Sequence, residues 1–261
     1  MGVMAPNLVA GDIFAWAGRV LWPLLRLTGL FLTAPLYSSS FIPARVKAVF
    51  VLAYAWALSL WLPHLPPFPD IPAVVLAQTV TQISTGAAIG LTAQLVVSAV
   101  ASIGEIAGLS IGLSFATLQF RDTAGNTETL YDLMFWLGLV GYVSLGGPLW
   151  LFAAVAHSFQ GGGLTPLSAQ SWGDLAAFGG VVVNAGVMLA LPVMAVALCI
   201  NLTVGLMTVF APQLNLLTIG FPLLILGGLT MLSASVLFMN GAIQALLDDA
   251  ARMVARMITH V

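Results

Sequence analysis

Charge is scarce in this sequence. Of 261 residues only 7 are Lys or Arg and 9 are Asp or Glu, 6% together, against roughly a quarter in a soluble domain. Hydrophobic residues reach 60% and the mean hydropathy is +1.06. That leaves too little polar surface to cover a soluble globule, so lipid, partner subunits or both must cover the rest. The net charge of -2, with no basic cluster, excludes the electrostatic footprint of a nucleic-acid binder. Cysteine is nearly absent as well: Cys199 stands alone, which excludes an intrachain disulfide, and within its apolar run it reads as a small buried side chain. The N-terminus lacks a basic region, since Asp12 precedes the first cation, Arg19. A cleaved secretory signal is therefore not expected, and the first apolar helix should be retained.

Catalytic chemistry is missing too. His64, His157 and His260 are isolated, and no HExxH, Cys-His cluster, phosphate-binding loop or GxSxG occurs. His157 beside Ser158 has no carboxylate within helical reach to complete a relay. Neither an enzyme, a metal site nor a cofactor is expected.

What is present is a series of apolar segments, from about Ile13 to Leu32, Ala48 to Leu62, Ala73 to Phe120, Leu133 to His157, and Leu175 to Leu247 without one formal charge. A span needs roughly 20 residues, so the last stretch holds at least two helices. Pro192 and Pro212 divide it, with Ala211 to Gln213 as the turn and Gly220 to Pro222 as a second break. The expectation is an all-α, integral membrane-type protein of about six apolar helical regions, several of them broken. Proline and glycine punctuate the connections, no polar linker or short repeat occurs, and residues 1–261 read as one domain. Topology resists this count. If Arg45 and Lys47 mark a cytoplasmic loop, six simple spans place Arg252 and Arg256 on the opposite side. A segment is then re-entrant or broken, or the helices do not cross as independent rods. The long, glycine-rich Ala73 to Phe120 stretch is the candidate for the break.

Gly104, Gly108 and Gly112 recur at four-residue spacing and share one helix face, the pattern that lets a neighbouring backbone approach closely. Glu105 interrupts that run, and an ionisable group in an apolar stretch marks a function or an interface. Gly112, Leu113, Ser114, Phe115, Ala116, Thr117 and Phe120 then lead to the charged pair Arg121 and Asp122. Glycine ahead of two bulky rings makes a mobile apolar loop reasonable, and such rings close a narrow pore by excluding water; packing of a helix end is the alternative. Arg19 and Arg26, seven residues apart, share a helix face and should point at protein or water. Pro23 between them would kink or end the helix.

Three stretches resemble the FliR family of flagellar export proteins. They are WPLLRLTGLFLTAPLYSSSFIPARVK from Trp22, with Arg26, Pro35, Pro43, Arg45 and Lys47 at the family's places; GEIAGLSIGLSFATLQFRD from Gly104; and APQLNLLTIGFPLLI from Ala211, with Pro212, Gln213 and Pro222. The resemblance implies a FliP-like part followed by a FliQ-like part. It implies assembly with FliP and FliQ around an export channel in the bacterial inner membrane at the flagellar basal body, with FlhB and FlhA as further partners. Exported flagellar subunits would be the cargo, and Gly112 to Asp122 would be a plug loop with Phe115 and Phe120 as its apolar contacts. Apolar helix faces would then meet partner helices as well as membrane lipid. A small-molecule secondary transporter is the alternative, since broken helices and a midplane charge such as Glu105 suit it too.

Overall fold

The structure is a computed structural model that describes residues 7–39, 42–62, 65, 69, 71–112, 128–160, 164–210 and 219–259. All regular structure among them is helical: α1 (Asn7–Thr33), α2 (Ala44–Trp61), α3 (Pro72–Ile111), α4 (Glu128–Ser144), α5 (Gly147–Ser158), α6 (Ala169–Phe210) and α7 (Phe221–Thr259).

Local chemistry explains most of the boundaries. Pro72, Pro148 and Pro222 stand in the first turns of α3, α5 and α7, where a missing N–H costs nothing and the fixed φ favours helix entry. Ser168 caps α6 by accepting the Ser171 N–H at 3.1 Å. α1 stops at Thr33 because Pro35 cannot continue it. Gly112 ends α3 with φ 82°, a left-handed conformation that glycine adopts without a Cβ penalty.

The helices depart from expectation in where they break. Pro192 lies inside α6 and Pro23 inside α1, so neither divides its helix. The Pro192 ring is exposed, so the helix loses one backbone bond and no packing. The Ala73 to Phe120 stretch holds one unbroken helix to Ile111, about 60 Å long at 1.5 Å per residue. The break falls instead at Gly146, where φ is 78° and α4 and α5 diverge by 63°. That splits the expected Leu133 to His157 region in two and gives seven helices among the described residues. Four helices (α2, α3, α6 and α7) are long and apolar enough to cross a membrane, or five spans if the bent α4–α5 pair is one. Four crossings would leave Arg45 and Lys47 on the same side as Arg252 and Arg256, and five would separate them.

Packing divides the chain into two compact units. Unit 1 comprises residues 1–94, 147–178 and 249–261, and unit 2 comprises 95–146 and 179–248. In unit 1, α1 packs on α2, and Trp22, Leu27 and Leu30 of α1, Ala55 of α2, Ile89 of α3, Leu151 and Val155 of α5 and Met253 of α7 are buried. An aromatic cluster links Phe31 to Tyr37 (4.4 Å between centroids), Tyr37 to Phe152 (5.8 Å) and Phe152 to Tyr54 (4.2 Å). Burial pushes the Tyr37 hydroxyl above its usual pKa, with a smaller push from Tyr54. The core of unit 2 is the second half of α3, with Val96, Val100, Ile103, Ala107 and Ile111 all at most 1% exposed.

Candidate functional site

In unit 2 the residues around the glycine-phenylalanine segment form the candidate site. α3 delivers the chain to Gly112, whose N–H donates to the Leu109 carbonyl at 3.2 Å, and α4 takes it up again at Glu128. Both ends are held. A Cβ on Gly104 would strike the Leu130 carbonyl oxygen, so the first turn of α4 rests directly on the α3 backbone. On the other side Ile111, fully buried, fills the space that Gly228 of α7 leaves. Further glycines repeat this arrangement around α3: Gly138 of α4 receives Val97 and Val100, and Gly186 of α6 receives Ala99 and Ser102. Missing side chains on the neighbours thus let α3 sit at the centre of unit 2.

The three glycines at four-residue spacing do different things. Gly104 is a close backbone approach. Gly108 has room, since a Cβ there would meet only Leu130 Cδ1 at 3.8 Å. Gly112 stands just past the helix with φ 82°, so of the two that lie inside α3 only Gly104 makes a tight contact. Leu113, Ser114, Phe115, Ala116, Thr117, Phe120, Arg121 and Asp122 lie outside the described residues, as do Pro212 and Gln213.

Charge is distributed unequally. Arg26 is 1% exposed; its Nη1 donates to Ser158 Oγ at 2.7 Å, and its guanidinium lies 3.9 Å over the centre of the Phe159 ring. Ser158 in turn donates to the Val155 carbonyl at 2.6 Å. A neutral hydroxyl and an aromatic face thus meet a buried cation, a hydrogen bond and a cation–π contact that are worth more out of water than in it. Of the three charges expected at a buried site or an interface, only Arg26 is buried within the chain, and Arg19 and Glu105 are exposed. Sharing the Arg26 face does not bury Arg19, because burial depends on what stands at the same level, and Ser158 and Phe159 stand at Arg26. His157 is exposed, with Nδ1 3.1 Å from Gln160 Oε1, so it points away from Ser158's bonds. Cys199 is exposed rather than buried, since the sparsely covered middle of α6 carries it.

Of the family-motif residues, Pro35 is buried at the end of α1, while Pro43 and Arg45 are exposed at the start of α2 and Pro222 at the start of α7. Lys47 donates to the Ser39 carbonyl at 2.8 Å. A close helix contact of unit 1 escaped the sequence reading. A Cβ on Gly86 would strike the Arg26 carbonyl, one on Gly29 the Ile83 carbonyl, and one on Gly90 the Thr33 hydroxyl. Thr33 Oγ1 donates across this seam to the Ala87 carbonyl at 2.9 Å. Gly86 and Gly90 carry the same four-residue spacing as Gly104 and Gly108, and that was the available signal.

The fold and this packing define an all-helical, membrane-type protein among the described residues. Residues 17–250 match the family described as bacterial export proteins, family 1. The flagellar biosynthetic protein FliR of Escherichia coli (strain K12) is 34% identical over 95% of each chain. The FliR protein of Pectobacterium carotovorum subsp. carotovorum is 29% identical over 96% of each, and that of Bacillus subtilis (strain 168) is 25% identical over 80% of this chain and 82% of its own. The chain belongs to this family of bacterial export proteins, the FliR family. The secondary-transporter alternative finds no support among these relatives.

Proposed function

We propose that the chain is a non-enzymatic subunit of the bacterial flagellar export gate, assembled with FliP and FliQ around a protein-conducting channel in the inner membrane at the flagellar basal body. FlhB and FlhA would approach from the cytoplasmic side, and unfolded flagellar subunits would pass through. One observation carries the reading: only 22% of the most apolar window of α6 and 17% of that of α7 is buried within the chain. In an export protein these faces suit the helices of partner subunits as well as lipid. Arg19 and Glu105, exposed on the isolated chain, then become interface charges.

The segment from Gly112 to Asp122 is the plug. Its base is supported by the Gly104–Leu130 and Ile111–Gly228 contacts, so a loop between them works from a rigid frame. Phe115 and Phe120 would seal the channel by dewetting. Shortening Ser114 to Asp122 should raise ion leakage through the assembled gate; unchanged leakage rejects the plug. Tagged FliP should retain the chain in a stable hetero-oligomer. A self-sufficient monomer that takes up solute in liposomes would instead reject the gate.

A further inference from the structure

We propose that the groove between α1 and α2 holds an acyl chain of an anionic phospholipid, with the headgroup phosphate at Lys47. The cavity has a volume of about 440 Å³ and is lined on α1 by Leu24, Thr28, Phe31 and Leu32 and on α2 by Val51 and Leu52. Leu24 to Leu32 covers about 12 Å of helix at 1.5 Å per residue, enough for a substantial part of one acyl chain.

The one charged side chain of the lining stands at one end, and the mid-groove Thr28 hydroxyl already donates to the Leu24 carbonyl. Lys47 and Ser38 also line the cavity, and both stand where α1 hands over to α2. The Lys47 ammonium gives one donor to the Ser39 carbonyl and has two more. Arg45, two residues earlier on α2, is exposed and does not line the cavity, and neither cation has an ion pair among the described residues. α2 begins there with no side-chain cap on its backbone N–H groups, which adds the positive end of its dipole. A largely apolar trough with a lysine at one end matches the charge distribution of an anionic lipid. A purely apolar partner helix would leave that end unmatched. α2 is itself a candidate span, only 17% buried, with Lys47 in its first turn, the depth at which basic residues meet headgroups. This inference is independent of the plug.

Native mass spectrometry of the delipidated full chain in mild detergent, titrated with dioleoylphosphatidylglycerol or dioleoylphosphatidylcholine, tests it. The wild type should retain phosphatidylglycerol about five-fold better, the effect of one basic residue at a headgroup. Lys47→Gln should abolish that preference, Lys47→Arg should keep it, and Ala48→Phe, which fills the groove, should weaken both lipids. Because the two Lys47 variants change only a partly exposed side chain, they decide the matter even if Ala48→Phe misfolds. Equal retention of the two lipids by the wild type, or a preference that survives Lys47→Gln, overturns the proposal. So does inorganic phosphate displacing the lipid at millimolar concentration, which would mean that the cation alone binds. A photoreactive residue at Ala48 that captures polypeptide and no lipid in membranes overturns it as well, since a protein then fills the groove.

Discussion

α3 and α6 are of nearly equal length, 40 and 42 residues, and both pass as membrane spans, yet they occupy opposite environments. Of their most apolar windows 67% is buried in α3 and 22% in α6, although α6 is the more apolar of the two. Hydropathy therefore does not rank these helices by burial. What differs is how closely neighbours can approach. α3 carries Gly86, Gly90 and Gly104 at backbone contacts and meets Gly29, Gly138, Gly186 and Gly228 on other helices, whereas Gly173, Gly179, Gly180 and Gly205 of α6 have nothing nearby. Where the driving force between apolar helices is weak, close backbone contact decides which one becomes the core. The exposed apolar face of α6 is left for something outside the chain.

This contrast can be broken most forcefully at the α1–α3 seam. Gly86→Leu should destabilise the chain by about 3 kcal/mol, because the new side chain meets a backbone carbonyl that cannot move aside; thermal unfolding in detergent would show it, and a stability equal to the wild type would refute the role given to this glycine. Next in size is the buried cation. Ser158→Ala removes a hydrogen bond from charged Arg26 and should cost about 2 kcal/mol, while Arg26→Met, which removes the need to bury a charge as well, should cost less. If the two rank the other way in denaturant midpoints, the Arg26–Ser158 bond is not what makes the site. A smaller effect of opposite sign is expected at Gly108, where Gly108→Ala should stabilise by about 1 kcal/mol through helix propensity, whereas Gly104→Ala should destabilise. Equal responses at these two positions would show that four-residue spacing alone governs. Smallest for the isolated chain is the α6 face: Leu198→Gln with Leu202→Gln should shift its stability by no more than about 0.5 kcal/mol yet weaken copurification with tagged FliP. Unimpaired copurification would remove this face from the partner surface.

The all-helical class, the apolar segments and their approximate edges were legible because helix periods, proline at first turns and the scarcity of charge act locally. Gly104 was legible as a close contact for the same reason. Gly108 and Gly112 share its spacing but not its role, since spacing specifies a face and not what stands opposite. Pro192 misled for a related reason: its preference to break a helix is a modest local cost, which a continuous apolar helix with the ring facing outward can absorb. The candidate loop was legible as a sequence of glycines, rings and charges, whereas the contacts of Leu130 and Ile111 at its ends required three helices to be placed together.

By itself the sequence determined that this chain is helical, poor in charge and in need of covering surfaces, because composition and short-range stereochemistry leave no other arrangement for so many apolar residues. Only the tertiary structure decided that Arg26 is buried against Ser158, 132 positions away, while Arg19 and Glu105 face outward, and that α3 rather than the more apolar α6 forms the core. Those outcomes depend on which backbones come close enough to touch, and that distance is a property of packed pairs of helices rather than of either one.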